Sequence, residues 1–302
     1  MLSFLAAITW DVSPLIAEFG PWDLGLFTLG PLALRWYGLL FMSGFVVGTF
    51  VLAHIYKSEK VSPMWVDVIT IYVLIGTIVG ARLGHVLFYQ PEILKDPLEV
   101  FKIWHGGLAS HGATIGIILA VYLFSRNNKF DMLWTLDRIV IVVASGGALI
   151  RLGNLMNSEI VGRETDVPWA FIFLRDREHF VNGIAVPRHP TQIYESLFCV
   201  FLFVLLYFMW NRTKERTPRG QLFGLFVVLL FTFRFFVEFL KVSQVDFENS
   251  LPLDMGQILS IPMIAIGFWV LLRAGKDPKN PYGYAPRDLG REEENPKLAQ
   301  AK

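Results

Sequence analysis

The sequence predicts an all-α integral membrane protein: a seven-transmembrane-helix bundle with an extracytoplasmic loop that carries a small β head. Three observations predict it. Of the 302 residues, 54% are hydrophobic and only 18% charged, with a mean hydropathy of +0.48. A soluble domain of that length is usually less apolar and more charged. Seven apolar runs approach the roughly 20 residues that a spanning helix needs. Lys and Arg gather in alternate loops, as they do on the cytoplasmic side of membrane proteins.

Taken in order, residues 1–31 form an arm before the first span. Its start, MLSFLAAITWDVSPLIAEFG, has no basic n-region and carries acids early. It therefore does not read as a cleaved signal peptide. Residues 4–19 read as an interfacial or extracytoplasmic segment. The helical body occupies 32–274, with spans expected at 32–56, 65–89, 108–125, 133–150, 191–210, 222–240 and 256–272. Lys57 and Lys60 follow the first span. Arg126 and Lys129 follow the third, with Arg138 in the opening turns of the next. Arg212, Lys214, Arg216 and Arg219 follow the fifth, and Arg273 and Lys276 follow the last. With seven spans these segments share one side, which is then cytoplasmic. The arm and an insertion at about 152–190 face the opposite side. Within it, PWAFIFLRDREHFVNGIAVPR has β-like stretches and an Asn-Gly turn signal, predicting a small hairpin. Residues 275–302 read as a polar, Pro-containing, disordered cytoplasmic tail without chemistry. No internal repeat is visible, which weakens a transporter built from duplicated halves.

A net charge of +1 argues against a nucleic-acid partner. The single cysteine, Cys199, excludes an internal disulfide and any CxxC site. It sits in SLFCVFLFVLLYF and reads as a small buried apolar residue rather than a nucleophile.

Charges inside the apolar runs carry most of the functional information, because each costs roughly 2.5–3.5 kcal/mol at mid-membrane on insertion scales. Arg82 and His85 lie in IVGARLGHVLFY, where snorkelling and a functional role both fit. Arg151 ends the fourth span. Arg234 and Glu238 stand four apart on one helical face. They form either a structural ion pair or an anion-binding arginine with an orienting carboxylate. In WHGGLASHGATIG, His105 and His111 flank a Gly-rich helix entry of the kind that presents backbone N–H groups to phosphate. Their six-residue separation matches poorly to one helix face, and no third ligand is near, so the residues argue against a metal. VPRHPTQIYES adds Arg188, His189, Gln192, Tyr194 and Glu195, and PLDMGQILSIPM adds Gln257 and Ser260. Arginines with asparagines beside glycines suit an anionic lipid headgroup. These residues alone do not separate transport from catalysis.

The stretch ALIRLGNLMNSEIVGRE closely resembles the signature of the prolipoprotein diacylglyceryl transferase family. LRWYGLLF, GGLASHG, RHPTQIYE, FRFFVEF and MGQILS follow in that family's order, so the resemblance runs to about Leu272. It implies a seven-helix catalytic domain in the bacterial plasma membrane, with its site facing away from the cytoplasm and its C-terminus cytoplasmic. It implies transfer of the diacylglyceryl group of phosphatidylglycerol to the lipobox cysteine of a prolipoprotein signal peptide. A thioether forms and glycerol phosphate leaves, the first step of lipoprotein maturation.

The resemblance also assigns roles. Arg151 and Arg234 match the family's phosphate-holding arginines. Asn154, Asn157, Glu159 and Gly162 match the rest of the signature. Tyr37 matches a tyrosine of the site, and Glu238 goes with Arg234. His111 matches a histidine that either takes the thiol proton or only positions lipid. No cofactor or metal is implied, since guanidinium groups already neutralise the phosphate. One position departs: Lys241 stands where many members have arginine, which puts a bidentate role there in doubt. The rivals are a lipid or solute transporter with an Arg-lined anion site, and a scaffold that binds signal peptides.

Overall fold

A computed structural model of the chain describes residues 7–23, 25, 28–102, 107, 109–242 and 253–286. Expectations placed on His105, on the first residues of the arm and on 287–302 fall outside the described residues. Six helices among those described are long and apolar enough to cross a membrane. They are α1 (Trp36–Ser58), α2 (Met64–Phe88), α5 (Met132–Asn157), α6 (Thr191–Thr213), α7 (Gln221–Glu238) and α8 (Met255–Arg273). A short α3 (Pro97–Phe101) precedes α4 (Ser110–Asn128). Helix α4 coincides with the expected third span but is not among the six. His111 near its start and Arg126, Asn127 and Asn128 at its end shorten its apolar stretch.

The first span starts four residues later than expected, at Trp36, because Leu32–Arg35 is a strand. This strand, β5, pairs antiparallel with β2 (Leu15–Phe19). Between them, β3 (Trp22–Asp23) pairs with β4 (Thr28–Leu29). A third sheet has the order β1 (Ile8–Trp10), β6 (Phe171–Phe173), β7 (Pro187–Arg188). β6 runs antiparallel to β7 and parallel to β1. Val181 and Ile184 form a bridge around Asn182 and Gly183, at φ 50° and 79°. Two successive positive φ values are what an Asn-Gly hairpin turn requires.

The chain divides into two compact units. One comprises Met1–Gly48, Val140–Asn211 and Leu222–Leu272; the other comprises Thr49–Ile139, Arg212–Gln221 and Arg273–Lys302. In the second, α2 and α4 cross at glycines. A Cβ on Gly76 would stand 2.6 Å from Gly116 O, and one on Gly84 would stand 2.7 Å from Gly112 Cα. Such small-residue faces let membrane helices approach backbone to backbone. Arg82 does not snorkel. It is 5% exposed and donates to the carbonyls of Val100, Glu99 and Gly107, holding the segment that leads to α4.

The same unit buries Arg138 completely. Its guanidinium bonds both oxygens of Glu59 at 2.9–3.1 Å, bonds the Trp134 carbonyl, and lies 4.3 Å from the Trp134 ring centroid. Arg219 Nε sits 2.9 Å from both oxygens of Asp131. The early tail is not the disordered extension expected. Asp131 N donates to Tyr284 O, Arg219 N donates to Pro281 O, and Asn280 donates to Asp131.

Candidate active site

The candidate site grows from the C-terminal end of α5, in the first unit. This helix was expected to end near 150 but runs to Asn157. Its 26 residues make it about 39 Å long at 1.5 Å per residue, longer than a roughly 30 Å hydrocarbon core. The extra turns form because Leu152 and Leu155 pack against Val161, Phe171 and Phe173. Trp10 of β1 joins them and donates from its indole to Leu155 O at 3.0 Å. Thus 152–157, expected to begin the outer insertion, is helix. Arg151, Asn154 and Asn157, three apart, share one of its faces.

The chain then reverses. Ser158 and Ile160 take positive φ, 55° and 58°, a conformation uncommon outside glycine. The turn brings Glu159 back under the helix end. Its Oε1 accepts from Asn154 Nδ2 at 2.6 Å and from Asn157 Nδ2 at 3.4 Å. Asn154 Oδ1 in turn accepts from Arg151 at 3.4 Å. Past the turn, Gly162 threads between two backbones. Its N–H donates to His189 O, and a Cβ there would meet His189 O at 2.5 Å and Leu240 O at 2.9 Å. Only glycine fits without displacing one of those strands. Tyr37 of α1 packs against Gly153, where a Cβ would come 2.9 Å from its ring.

A chain of buried charges links this face to α6 and α7. Arg151 Nε lies 3.3 Å from Glu195 Oε2. The contact is an ion pair by distance but lacks hydrogen-bond alignment, so that oxygen has no hydrogen-bond partner among the described residues. Glu195 Oε1 accepts from Lys241 Nζ at 2.9 Å, and Lys241 also reaches Glu238 at 3.4 Å. Lys241 is only 4% exposed. A compact ammonium serves two carboxylates here, without a guanidinium fork. The ion pair of Arg234 with Glu238, one of the two readings of their spacing, is not formed: Glu238 turns to Lys241 and packs on Gly256 at the start of α8. Among the described residues Arg234 makes no hydrogen bond or ion pair, although α7 carries it one turn before Glu238. Gln257 caps α8 by accepting from Asp254 N and donates to Phe235 O.

The structure thus brings Arg151, Asn154, Asn157 and Glu159 into direct contact. Tyr37 joins them through Gly153, and Glu238 through Lys241 and Glu195. His111 belongs to the second unit, where its ring packs edge-on to Phe88 and tilted to Tyr89. Glu195 and Gln192 were legible only as polar residues opening a helix, yet Glu195 sits at the centre of the charge chain. Gln192 Nε2 donates to Glu159 O at 2.7 Å and so fixes the reversal. His189 lies 3.2 Å from Tyr194 Oη, which accepts from Trp169. Burial lowers its affinity for a proton below the ordinary histidine range.

This face offers a guanidinium, amide groups and a bound carboxylate at the end of an apolar helix, a combination that can hold an anion at a membrane surface. Residues 25–273 match the family model described as prolipoprotein diacylglyceryl transferase. The chain is 44% identical over 283 residues to the phosphatidylglycerol–prolipoprotein diacylglyceryl transferase of Porphyromonas gingivalis, covering 90% of this chain and 96% of that protein. It is 43% identical to the protein of the same name from Chloroherpeton thalassium, covering 89% and 95%. For the one from Tolumonas auensis the identity is 41%, covering 89% and 98%. With the family match spanning the signature and all six apolar helices, the chain belongs to the prolipoprotein diacylglyceryl transferase family.

Proposed function

We propose that this protein transfers the diacylglyceryl group of phosphatidylglycerol to the lipobox cysteine of a prolipoprotein signal peptide. What carries the reading is one conjunction: relatives that bear this enzyme name align along nearly their whole length, and the signature they share folds into the Arg151–Asn154–Glu159 cluster. A transporter with an Arg-lined anion site draws no support from those relatives.

In the proposed reaction the cysteine sulfur bonds to the glyceryl carbon. That carbon's bond to the phosphate oxygen breaks, and the electron pair leaves with glycerol phosphate. Negative charge grows on the departing phosphate, and Arg151 and Arg234 stabilise it. Arg234, unpaired among the described residues, keeps its donors for that group. Asn154, Asn157 and Glu159 hold Arg151 in place, and Gly162 lets the signature close. Tyr37 braces the helix at Gly153, and Glu238 holds Lys241. The thiol, with a reference pKa near 8.5, must lose its proton. His111 accepts it or positions lipid, a role that rests on the family resemblance alone. No cofactor enters this scheme.

The same reading takes α4 as a seventh span and residues 32–274 as the catalytic body in a bacterial plasma membrane. The arm (1–31) and the β strands of the 152–190 insertion form an extracytoplasmic head, and 275–302 is cytoplasmic. The basic loops support this orientation. The test is reconstitution of the purified protein with phosphatidylglycerol and a lipobox peptide, with phosphatidylethanolamine as control. Mass spectrometry should find a diacylglyceryl thioether with the first lipid only. A folded, lipid-embedded protein that yields none contradicts the assignment.

A further inference from the structure

A cavity of about 450 Å³ opens beside the reversal of the signature, and no role above uses it. It is lined by Ser158–Val161, by the run Arg175–His179 and by Val242. Three acids (Glu159, Asp176 and Glu178) and two arginines (Arg175 and Arg177) line it. Arg175 pairs with Asp11 at 2.9 Å, and His179 Nδ1 lies 2.8 Å from Asp176. The Glu159 carboxylate accepts only from the amides of Asn154 and Asn157, and Arg177 and Glu178 make no side-chain hydrogen bond or ion pair among the described residues. Ser158 is only 5% exposed, and its Oγ is buried without a partner among the described residues. A buried hydroxyl left unpaired costs free energy, so a ligand that supplies its partner gains by that amount.

A phosphate headgroup fits poorly here, because Glu159 and Glu178 line the same cavity as Arg177. A peptide main chain fits. It has no net charge and presents donors and acceptors in alternation. Glu159 also belongs to the Arg151 cluster through Asn154, so the cavity begins where that cluster ends. We propose that the cavity receives the polar polypeptide segment on the C-terminal side of the acceptor cysteine, with Arg177 and Glu178 reading its charges and Ser158 bonding its main chain. This assignment presupposes the cysteine-bearing acceptor proposed above. It divides the acceptor: its apolar side stays with lipid, and its polar continuation enters the cavity.

The test uses the full-length protein in lipid nanodiscs and two fluorescent acceptor peptides whose cysteine is replaced by serine. One continues six polar residues past that position and the other stops one residue after it. The wild type should bind the longer peptide about tenfold more tightly. The double variant Arg177→Ala/Glu178→Ala, at two exposed positions, should bring the longer peptide down to the affinity of the shorter and leave the shorter unchanged. Equal binding of both peptides by the wild type would overturn the assignment. So would an equal loss for both in the variant, or no loss at all. A parallel transfer assay with the cysteine forms separates the two readings. Thioether formation with unchanged affinities sinks only the cavity assignment, whereas no thioether in the wild type sinks the diacylglyceryl-transfer reading itself.

Discussion

Both units bury charges, but they finish them differently. In the second unit Arg138 bonds both oxygens of Glu59 and two backbone carbonyls, and a ring lies against it. Asp137 accepts from Gly220 N, and Asp131 is filled by Arg219 and the Trp134 backbone. In the first unit the series Arg151–Glu195–Lys241–Glu238 has loose ends. Among the described residues, Asn157 Oδ1, Ser158 Oγ, Gln192 Oε1 and Glu195 Oε2 are buried without hydrogen-bond partners, against Tyr56 Oη and Trp65 Nε1 in the other unit. A closed pair holds a fold together. A polar cluster with spare capacity has been left ready for something else to complete it.

The contrast can be broken by mutation. Arg138→Ala strands the Glu59 carboxylate in a buried site and should cost about 3–5 kcal/mol. A drop in apparent Tm in detergent, with turnover per folded molecule retained, is the expected outcome. A stable Arg138→Ala protein would show that the closed pair is not structural. Next in size is Gly162→Ala, whose methyl group would press on His189 O and Leu240 O. Overpacking of that kind costs about 1–3 kcal/mol and should lower both Tm and transfer. Unchanged values for both would mean the strands part freely.

His189 gives a smaller effect with a defined sign. Burial lowers its folded pKa below the ordinary 6.5. The unfolded chain therefore binds the proton more readily, and folding gains from neutral His189 above about pH 6.5. That contribution disappears as pH falls through the lower folded value. On lowering pH from about 7.5 to 5.5, the wild type's apparent Tm should fall further than that of His189→Gln; parallel curves would count against it. The smallest effect belongs to Cys199, buried in α6 with Sγ 3.2 Å from where a Cβ on Gly147 would lie. Cys199→Ser should leave the rate of transfer unchanged, and loss of turnover in a folded variant would give this thiol a role the account denies it.

What the sequence could show was local. Apolar runs placed α1, α2, α5, α6, α7 and α8, because hydrocarbon solvation acts on each stretch by itself. The Asn182-Gly183 turn was legible for the same reason. The extension of α5 to Asn157 was not, since Leu152 and Leu155 are buried by protein rather than lipid. Nor was β1, which joins β6 across some 160 residues of chain and leaves no local pattern. The site was half legible. Arg151, Asn154 and Glu159 stand close enough in sequence to be read together. Glu195 meets Arg151 and Lys241 only through the fold, and of the two readings of the Arg234–Glu238 spacing the ion pair is pre-empted by Lys241.

The most direct test of the contrast is the rate of thioether formation per folded molecule of Arg151→Ala, in phosphatidylglycerol bilayers with a lipobox peptide. The account predicts a loss of about 10²–10³-fold, as for removal of a group that stabilises developing charge, with an apparent Tm close to that of the wild type. Full activity in a folded Arg151→Ala protein would contradict it and place the chemistry elsewhere in the molecule.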